Sequence, residues 1–211
     1  MPTQKQLLVE AKALFFEKPT FVLGAVNADQ LPLKRLPEFA FAGRSNVGKS
    51  SLINALTGCP KLARASNTPG RTQEVNFFEQ KDRFFIVDLP GYGFAKAPES
   101  KVQLWTRLIH DYLRGRPQLR RVFLLIDIRH GIKIVDENIM KMLDKSAVNY
   151  QIVLTKADKV SENEAQKMVA AVAEIGTKHV ACHPEILVTS SDKKMNIDLL
   201  RAEFVKVLKG I

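Results

Sequence analysis

The chain has 211 residues, of which 45% are apolar and 26% charged. That composition suits one generous domain with a sizeable buried core and excludes wholesale disorder. Lysine and arginine number 32 against 22 acidic residues, a formal +10. Such an excess favours a polyanionic partner, nucleic acid first and an anionic membrane face second, with an inert basic surface as the plain alternative.

No apolar run approaches the roughly 20 residues needed to span a bilayer. The polar start Met1 to Gln6 leads into a stretch broken by Lys12, Glu17 and Lys18, unlike a secretory leader. A cytoplasmic protein is expected. Cys59 and Cys182 and the scattered His110, His130, His179 and His183 have no metal-ligand spacing, so reduced thiols without a His/Cys metal centre are expected.

In chain order, Leu7 to Phe16 spaces its apolar residues for a short helix, and Thr20 to Val26 reads as a strand. A Pro-bearing connector, Leu31 to Pro37, follows. Residues 1–37 are therefore read as an N-terminal extension packed on a domain of residues 38–211. Within that domain, strand-like runs (Phe39–Ala42, Glu74–Glu79, Arg83–Asp88, Val122–Asp127, Gln151–Thr155, Glu185–Thr189) alternate with helical stretches (Lys49–Thr57, Ser100–Leu113, Val135–Ser146, Ser161–Ile175, Asn196–Leu208). Gln80, Lys81 and Asp82 suit a hairpin turn, which makes one strand antiparallel. The alternation elsewhere predicts an α/β fold, a mostly parallel central sheet with helices on both faces. Ligands of such sheets bind at the carboxyl ends of the strands.

The first motif lies at such an end. Gly43, Arg44, Ser45, Asn46, Val47, Gly48, Lys49 and Ser50 match G-x-x-x-x-G-K-[ST], after an apolar strand and opening a helix that continues through Ser51. Glycines let the backbone curl its N–H groups around phosphate oxygens, and the helix start adds its positive end. Lys49 can reach the β- and γ-phosphates, and the Ser50 hydroxyl suits Mg²⁺. Asp88, closing the apolar strand Arg83–Asp88, suits Mg²⁺ through water, and Leu89, Pro90 and Gly91 complete D-x-x-G. There the Gly91 N–H can meet a γ-phosphate.

Between these motifs, Gly70, Arg71, Thr72, Gln73 and Glu74 fall in a polar loop. A threonine there can place its hydroxyl on Mg²⁺ and order with the triphosphate. Thr72 is preferred to Thr68. Further along, Thr155, Lys156, Ala157 and Asp158 fit the base-specificity pattern [NT]KxD, with Thr in place of the commoner Asn. One carboxylate, Asp158, can accept both guanine donors, N1–H and the N2 amino group, a pair that adenine lacks. Thr189, Ser190 and Ser191 end the last predicted strand, where small residues let backbone N–H groups approach guanine O6. The expected ligands are thus GTP or GDP with Mg²⁺. Tyr92 follows Gly91 in place of a water-orienting Gln, so slow hydrolysis is expected.

The runs GRSNVGKSSLINALTG, TPGRTQEVNFF, DLPGYGFA and TKAD, with Trp105 downstream, closely resemble the EngB (YihA/YsxC-type) bacterial GTPases of the TrmE–Era–EngA–EngB–septin group. The resemblance covers nearly everything from Glu38 onward. It implies a monomeric Ras-like P-loop GTPase domain acting in late assembly of the large ribosomal subunit and linked to normal cell division and septation. Related members use K⁺, and the matching residue here is Asn46. Under this resemblance Lys61, Arg64 and Arg71, together with the cluster Arg114, Arg116, Arg120 and Arg121, become candidates for ribosomal RNA contact, with solvated surface charge as the plain alternative. Two other readings stay open: an ATP-using P-loop kinase, and a guanine-nucleotide scaffold with negligible hydrolysis.

Overall fold

The computed structural model describes residues 2–63, 74–93 and 99–211, with side chains omitted for 99–106. Its helices and strands are, in chain order, α1 (Gln4–Leu14), β1 (Thr20–Ala25), β2 (Glu38–Gly43), α2 (Lys49–Thr57), β3 (Val75–Gln80), β4 (Phe84–Asp88), α3 (Glu99–Gly115), β5 (Leu119–Asp127), α4 (Ile134–Lys145), β6 (Tyr150–Thr155), α5 (Glu162–Gly176), β7 (Leu187–Val188) and α6 (Ile197–Lys209). The strands form one seven-stranded sheet in the order β1-β3-β4-β2-β5-β6-β7. Strand β3 runs against both its neighbours, and the other pairings are parallel. This is the mostly parallel sheet with one antiparallel strand that the sequence predicts.

Local chemistry accounts for the elements. The β3–β4 hairpin turns through Lys81 and Asp82, both with positive φ, the backbone that tight hairpins require. A capping box between Thr3 and Gln6 starts α1 earlier than its apolar spacing alone suggests. Ser161 and Glu164 do the same for α5. The last strand is shorter than expected, Leu187–Val188 in place of Glu185–Thr189. Pro184 has no N–H to donate, and the Glu185 carbonyl is taken by the Gln151 side chain at 3.1 Å.

Alternation along buried strands divides the core in two. Phe39, Phe41, Ile86, Phe123 and Val153 face α2 and α6, whereas Ala40, Ala42, Val87, Leu124 and Leu154 face α3, α4 and α5. Strands buried on both faces read as continuous apolar runs, which is why they stood out in the sequence. On the first face Phe204 of α6 meets Phe39, Phe123 and Phe84 at ring-centroid distances of 4.3, 5.2 and 5.3 Å. Replacing this fully buried ring, Phe204→Ala, is expected to cost about 3–5 kcal/mol of stability, measured by urea unfolding.

The N-terminal elements share this architecture. Strand β1 pairs with β3 at the sheet edge. Leu7 and Ala11 of α1 pack on Ala202 and Val205 of α6, and Phe15 enters the aromatic face 5.1 Å from Phe204.

Candidate functional site

Parallel register sets the functional residues in a row. Phe41 stands opposite Asp88, Gly43 opposite Leu125, Asp127 opposite Thr155, and Leu154 opposite Val188. The ends of β2, β4, β5, β6 and β7 therefore open onto one edge, where loops meet.

The loop Gly43–Ser50 is shaped by its backbone. Asn46 and Gly48 take positive φ, 63° and 102°; asparagine tolerates this conformation, and at 102° glycine is the residue that adopts it freely. A side chain at Gly43 would stand 2.8 Å from Val47 Cγ1 and 3.1 Å from the Leu125 backbone oxygen, so only hydrogen fits. Helix α2 then begins at Gly48 with no side chain capping it. Its first-turn N–H groups, those of Lys49 to Ser51, are the kind of donors that suit an anion. Lys49 forms an ion pair with Asp88, which is 7% exposed at the end of β4.

The chain leaving β4 is bonded to this loop. Tyr92 N–H donates to the Gly43 carbonyl at 3.3 Å, and Ser45 N–H donates to the Tyr92 carbonyl at 3.0 Å. Between them Gly91 lies so close that a Cβ there would stand 3.2 Å from Ser45 Oγ. Leu89 and Pro90 are buried beneath. The Tyr92 ring is buried too, its hydroxyl donating to Asp136 Oδ1 at 2.8 Å. Burial foremost, and then the Asp136 carboxylate, push its phenol well above the ordinary tyrosine range.

The second half of the site is built on β6. The Thr155 hydroxyl donates to the Val47 carbonyl at 2.7 Å, so the threonine standing in the usual Asn position ties the two loops together. Lys156, held at a φ of 61°, donates to the Asn46 carbonyl at 2.6 Å. Backbone strain of this kind persists where surrounding contacts impose it. Ala157 N–H donates to the Thr189 carbonyl at 3.1 Å, and Thr189 N–H to the Leu154 carbonyl at 2.7 Å. Ser190 Oγ donates to Asp158 Oδ1 at 2.5 Å, and Lys159 Nζ lies 2.9 Å from Oδ2. The Ser190 hydrogen bond first, and Lys159 second, hold the Asp158 carboxyl below the usual carboxylate range. Each oxygen keeps a further lone pair for a donor in the plane. Ser191 continues the same loop, partly exposed.

Two carboxylates to which the sequence reading gave no role belong here. Asp127, at the end of β5, lies 2.9 Å from Lys156 Nζ and accepts from Arg129 at 2.7 and 2.9 Å. Burial raises its carboxyl, but the bonds from Arg129 and Lys156 outweigh this and hold it well below the usual range. Its signal was legible, for it closes an apolar parallel strand just as Asp88 does. Asp136, in the first turn of α4, is fully buried and gave no such signal: its neighbours Val135, Glu137 and Asn138 read as an ordinary helix start. Burial raises its carboxyl, against the pull of the Lys133 N–H and Tyr92 hydroxyl.

Some candidates fall elsewhere. Gly70, Arg71, Thr72 and Gln73, with the rival Thr68 and the basic Arg64, lie outside the described residues. Glu74 is not brought into the group, because its carboxylate lies against Gly24 of β1. The basic cluster needs correction. Arg116 pairs with Glu38 and donates to the Pro32 carbonyl at 3.1 Å. Arg121 donates to Asn149, Gln151 and Glu203 at 2.8, 3.0 and 3.2 Å. Both guanidinium groups join strands to neighbouring elements inside the fold, because strand alternation turns Arg121 inward. Arg114, Arg120 and Lys61 remain exposed.

As for a metal, no group of three or more His, Cys, Asp or Glu side chains that could hold one occurs among the described residues. A carboxylate at the end of β4, Asp88, and a hydroxyl in the first turn of α2, Ser50, are groups that suit Mg²⁺, which takes one or two carboxylates and fills its octahedron with phosphate oxygens and water. No helix among the described residues is long and apolar enough to cross a membrane.

The chain is similar to known proteins. Residues 38–156 match the family model described as 50S ribosome-binding GTPase. The chain is 60% identical over 195 residues to a probable GTP-binding protein EngB of Rhodospirillum rubrum, covering 90% of this chain and 84% of that one. A protein of the same description from Ruegeria sp. is 56% identical over 191 residues, with 90% and 88% covered. A crystal structure described as a probable GTP-binding protein EngB superposes with a TM-score of 0.66 at 25% identity, covering 82% of this chain and all of that one.

Proposed function

Since this chain belongs to the EngB family of GTP-binding P-loop proteins, we propose that it is a slow GTPase serving as a nucleotide-dependent switch in assembly of the large ribosomal subunit, and through it in normal cell division and septation. Residues 38–211 are the nucleotide-binding domain and residues 1–37 an extension packed on it. It works as a monomer in the cytoplasm. The ATP-using kinase alternative has no support in a family of GTP-binding proteins.

The observation that carries the reading is the pair of ties between loops, Thr155 to Val47 and Lys156 to Asn46. They fix the distance between a phosphate cradle and a base-reading carboxylate, as a ligand with a polyphosphate at one end and a purine at the other requires. In this reading Gly43 to Ser51 bind the phosphates, Lys49 neutralises them, and Gly91 offers its N–H to the γ-phosphate. Asp158 selects guanine, with Thr189 to Ser191 beside O6. Ser50, Thr72 and, through water, Asp88 hold Mg²⁺, which when bound neutralises charge on the β- and γ-phosphates. Asn46 would hold K⁺, which when bound would supply the charge stabilisation that an arginine finger supplies elsewhere.

Slow turnover follows from Tyr92. Its hydroxyl is committed to Asp136 inside the protein, so the residue after Gly91 does not orient water. The scaffold alternative draws on the same observation. One experiment separates the two: GTP turnover with and without purified 50S precursor particles, in K⁺ and in Na⁺ buffers. Turnover that rises with particles and in K⁺ is expected. Turnover indifferent to the particles would favour the scaffold, and equal rates in K⁺ and Na⁺ would remove the cation.

A further inference from the structure

Asp136 is a fully buried carboxylate that the proposed chemistry does not use. A carboxylate taken out of water is costly unless its oxygens are well satisfied. Here two hydrogen bonds and one ion pair, from three separate segments, meet them. Lys133 N–H, at the start of α4, donates to Oδ2 at 2.9 Å. Arg44, the second residue of the phosphate loop, makes an ion pair at 3.1 Å from its Nε and also donates to the Gly131 carbonyl at 3.1 Å. Tyr92, directly after Gly91, donates its hydroxyl at 2.8 Å.

Only the Lys133 contact is local, the ordinary first-turn cap of a helix. The other two partners lie far away in sequence and belong to the loops that meet around the phosphates. Tyr92 is thus held at both ends: its backbone is bonded to Gly43 and Ser45, and its hydroxyl is anchored in the core. Gly91 has no side chain with which to hold itself against Ser45, so its position is set by its chain neighbours: on one side the stretch from Leu89, whose N–H donates to the Phe41 carbonyl at 3.1 Å, and on the other Tyr92.

We propose that Asp136 is a positioning residue for the γ-phosphate: through Tyr92 and Arg44 it keeps Gly91 against the phosphate loop and so favours triphosphate over diphosphate. This rests on the GTPase reading above. The contribution is selective because Gly91 meets a group that only the triphosphate has. A merely structural ion pair would change stability and both affinities together.

The test measures dissociation constants for GDP and a non-hydrolysable GTP analogue, with thermal midpoints, for wild type, Tyr92→Phe and Asp136→Ala. Tyr92→Phe removes one oxygen and leaves the ring in place. It is expected to weaken the GTP analogue about fivefold, less than the roughly tenfold or more that a whole hydrogen bond to a charged acceptor is worth because the effect reaches the phosphate only through Gly91, and to leave GDP within about twofold. Asp136→Ala should shift the same ratio further. An unchanged ratio in Tyr92→Phe, or parallel losses for both nucleotides, would overturn the proposal; should Asp136→Ala fail to fold, Tyr92→Phe decides alone. Wild-type protein that bound neither nucleotide would sink the GTPase reading and this proposal with it, a failure visible before any substitution is made.

Discussion

Asp158→Asn is expected to weaken GTP and GDP about a thousandfold while raising affinity for xanthine nucleotides. The carboxylate is held ionised by Ser190 and Lys159, and it offers two acceptor oxygens. Guanine presents two donors on one edge, so the pair forms two charge-assisted hydrogen bonds, each worth about 1.5–3 kcal/mol. The amide turns one acceptor into a donor that faces the N2 amino group or N1–H of guanine. About 4 kcal/mol is lost, which is three orders of magnitude. Xanthine carries a carbonyl where guanine carries the amino group, so the same amide now matches it. Competition titration against labelled GDP with GTP, XTP and ATP decides the matter, and a mutant that kept its guanine preference would remove Asp158 from the base site.

Lys49→Ala should be the second large effect, with two readouts that move for different reasons. On the proposed reading the ammonium, carried by the first residue of α2, would neutralise the phosphates, and losing a charge-assisted contact to polyphosphate is expected to cost about 3 kcal/mol, more than a hundredfold in affinity. The lysine is also the cation beside Asp88. Removing one partner of a fully buried pair costs about 3–5 kcal/mol. Side chains here keep 12% and 9% of their surface exposed, and water screening reduces the expected loss of stability to about 1–2 kcal/mol. Isothermal titration reads the first effect and urea unfolding the second. Wild-type affinity in this variant would mean that the Gly43–Ser50 loop does not hold phosphates.

The same reasoning separates what was local from what was not. The loop Gly43–Ser50 was legible because its constraint is carried by adjacent residues: a strand, glycines where the backbone must curl, a lysine and a serine at a helix start. Asp158 was legible for a similar reason, lying three residues past the end of an apolar strand. Apolar runs marked the buried strands, and β7 was overextended because Pro184 and the Gln151 side chain, not hydropathy, end its pairing.

The arginines mark the limit of that reading. Arg114, Arg116, Arg120 and Arg121 are alike as a string of charges, yet Arg116 and Arg121 are taken up by Glu38 and Glu203, acids far away in sequence. No local pattern distinguishes a guanidinium that meets solvent from one that meets a carboxylate on another element. The role of Asp136 has the same origin.

By itself, then, the sequence determined the alternation of elements, the loop Gly43–Ser50, the carboxylate that closes β4 and the place of Asp158 after β6, since each depends on neighbours within a few positions. Only the tertiary structure decided how those pieces are held: Thr155 on Val47, Lys156 between Asn46 and Asp127, and Tyr92 with Arg44 on Asp136. A hydrogen bond or ion pair is fixed by distance and direction in space, and residues far apart along the chain acquire both only when the parallel strands bring their ends together.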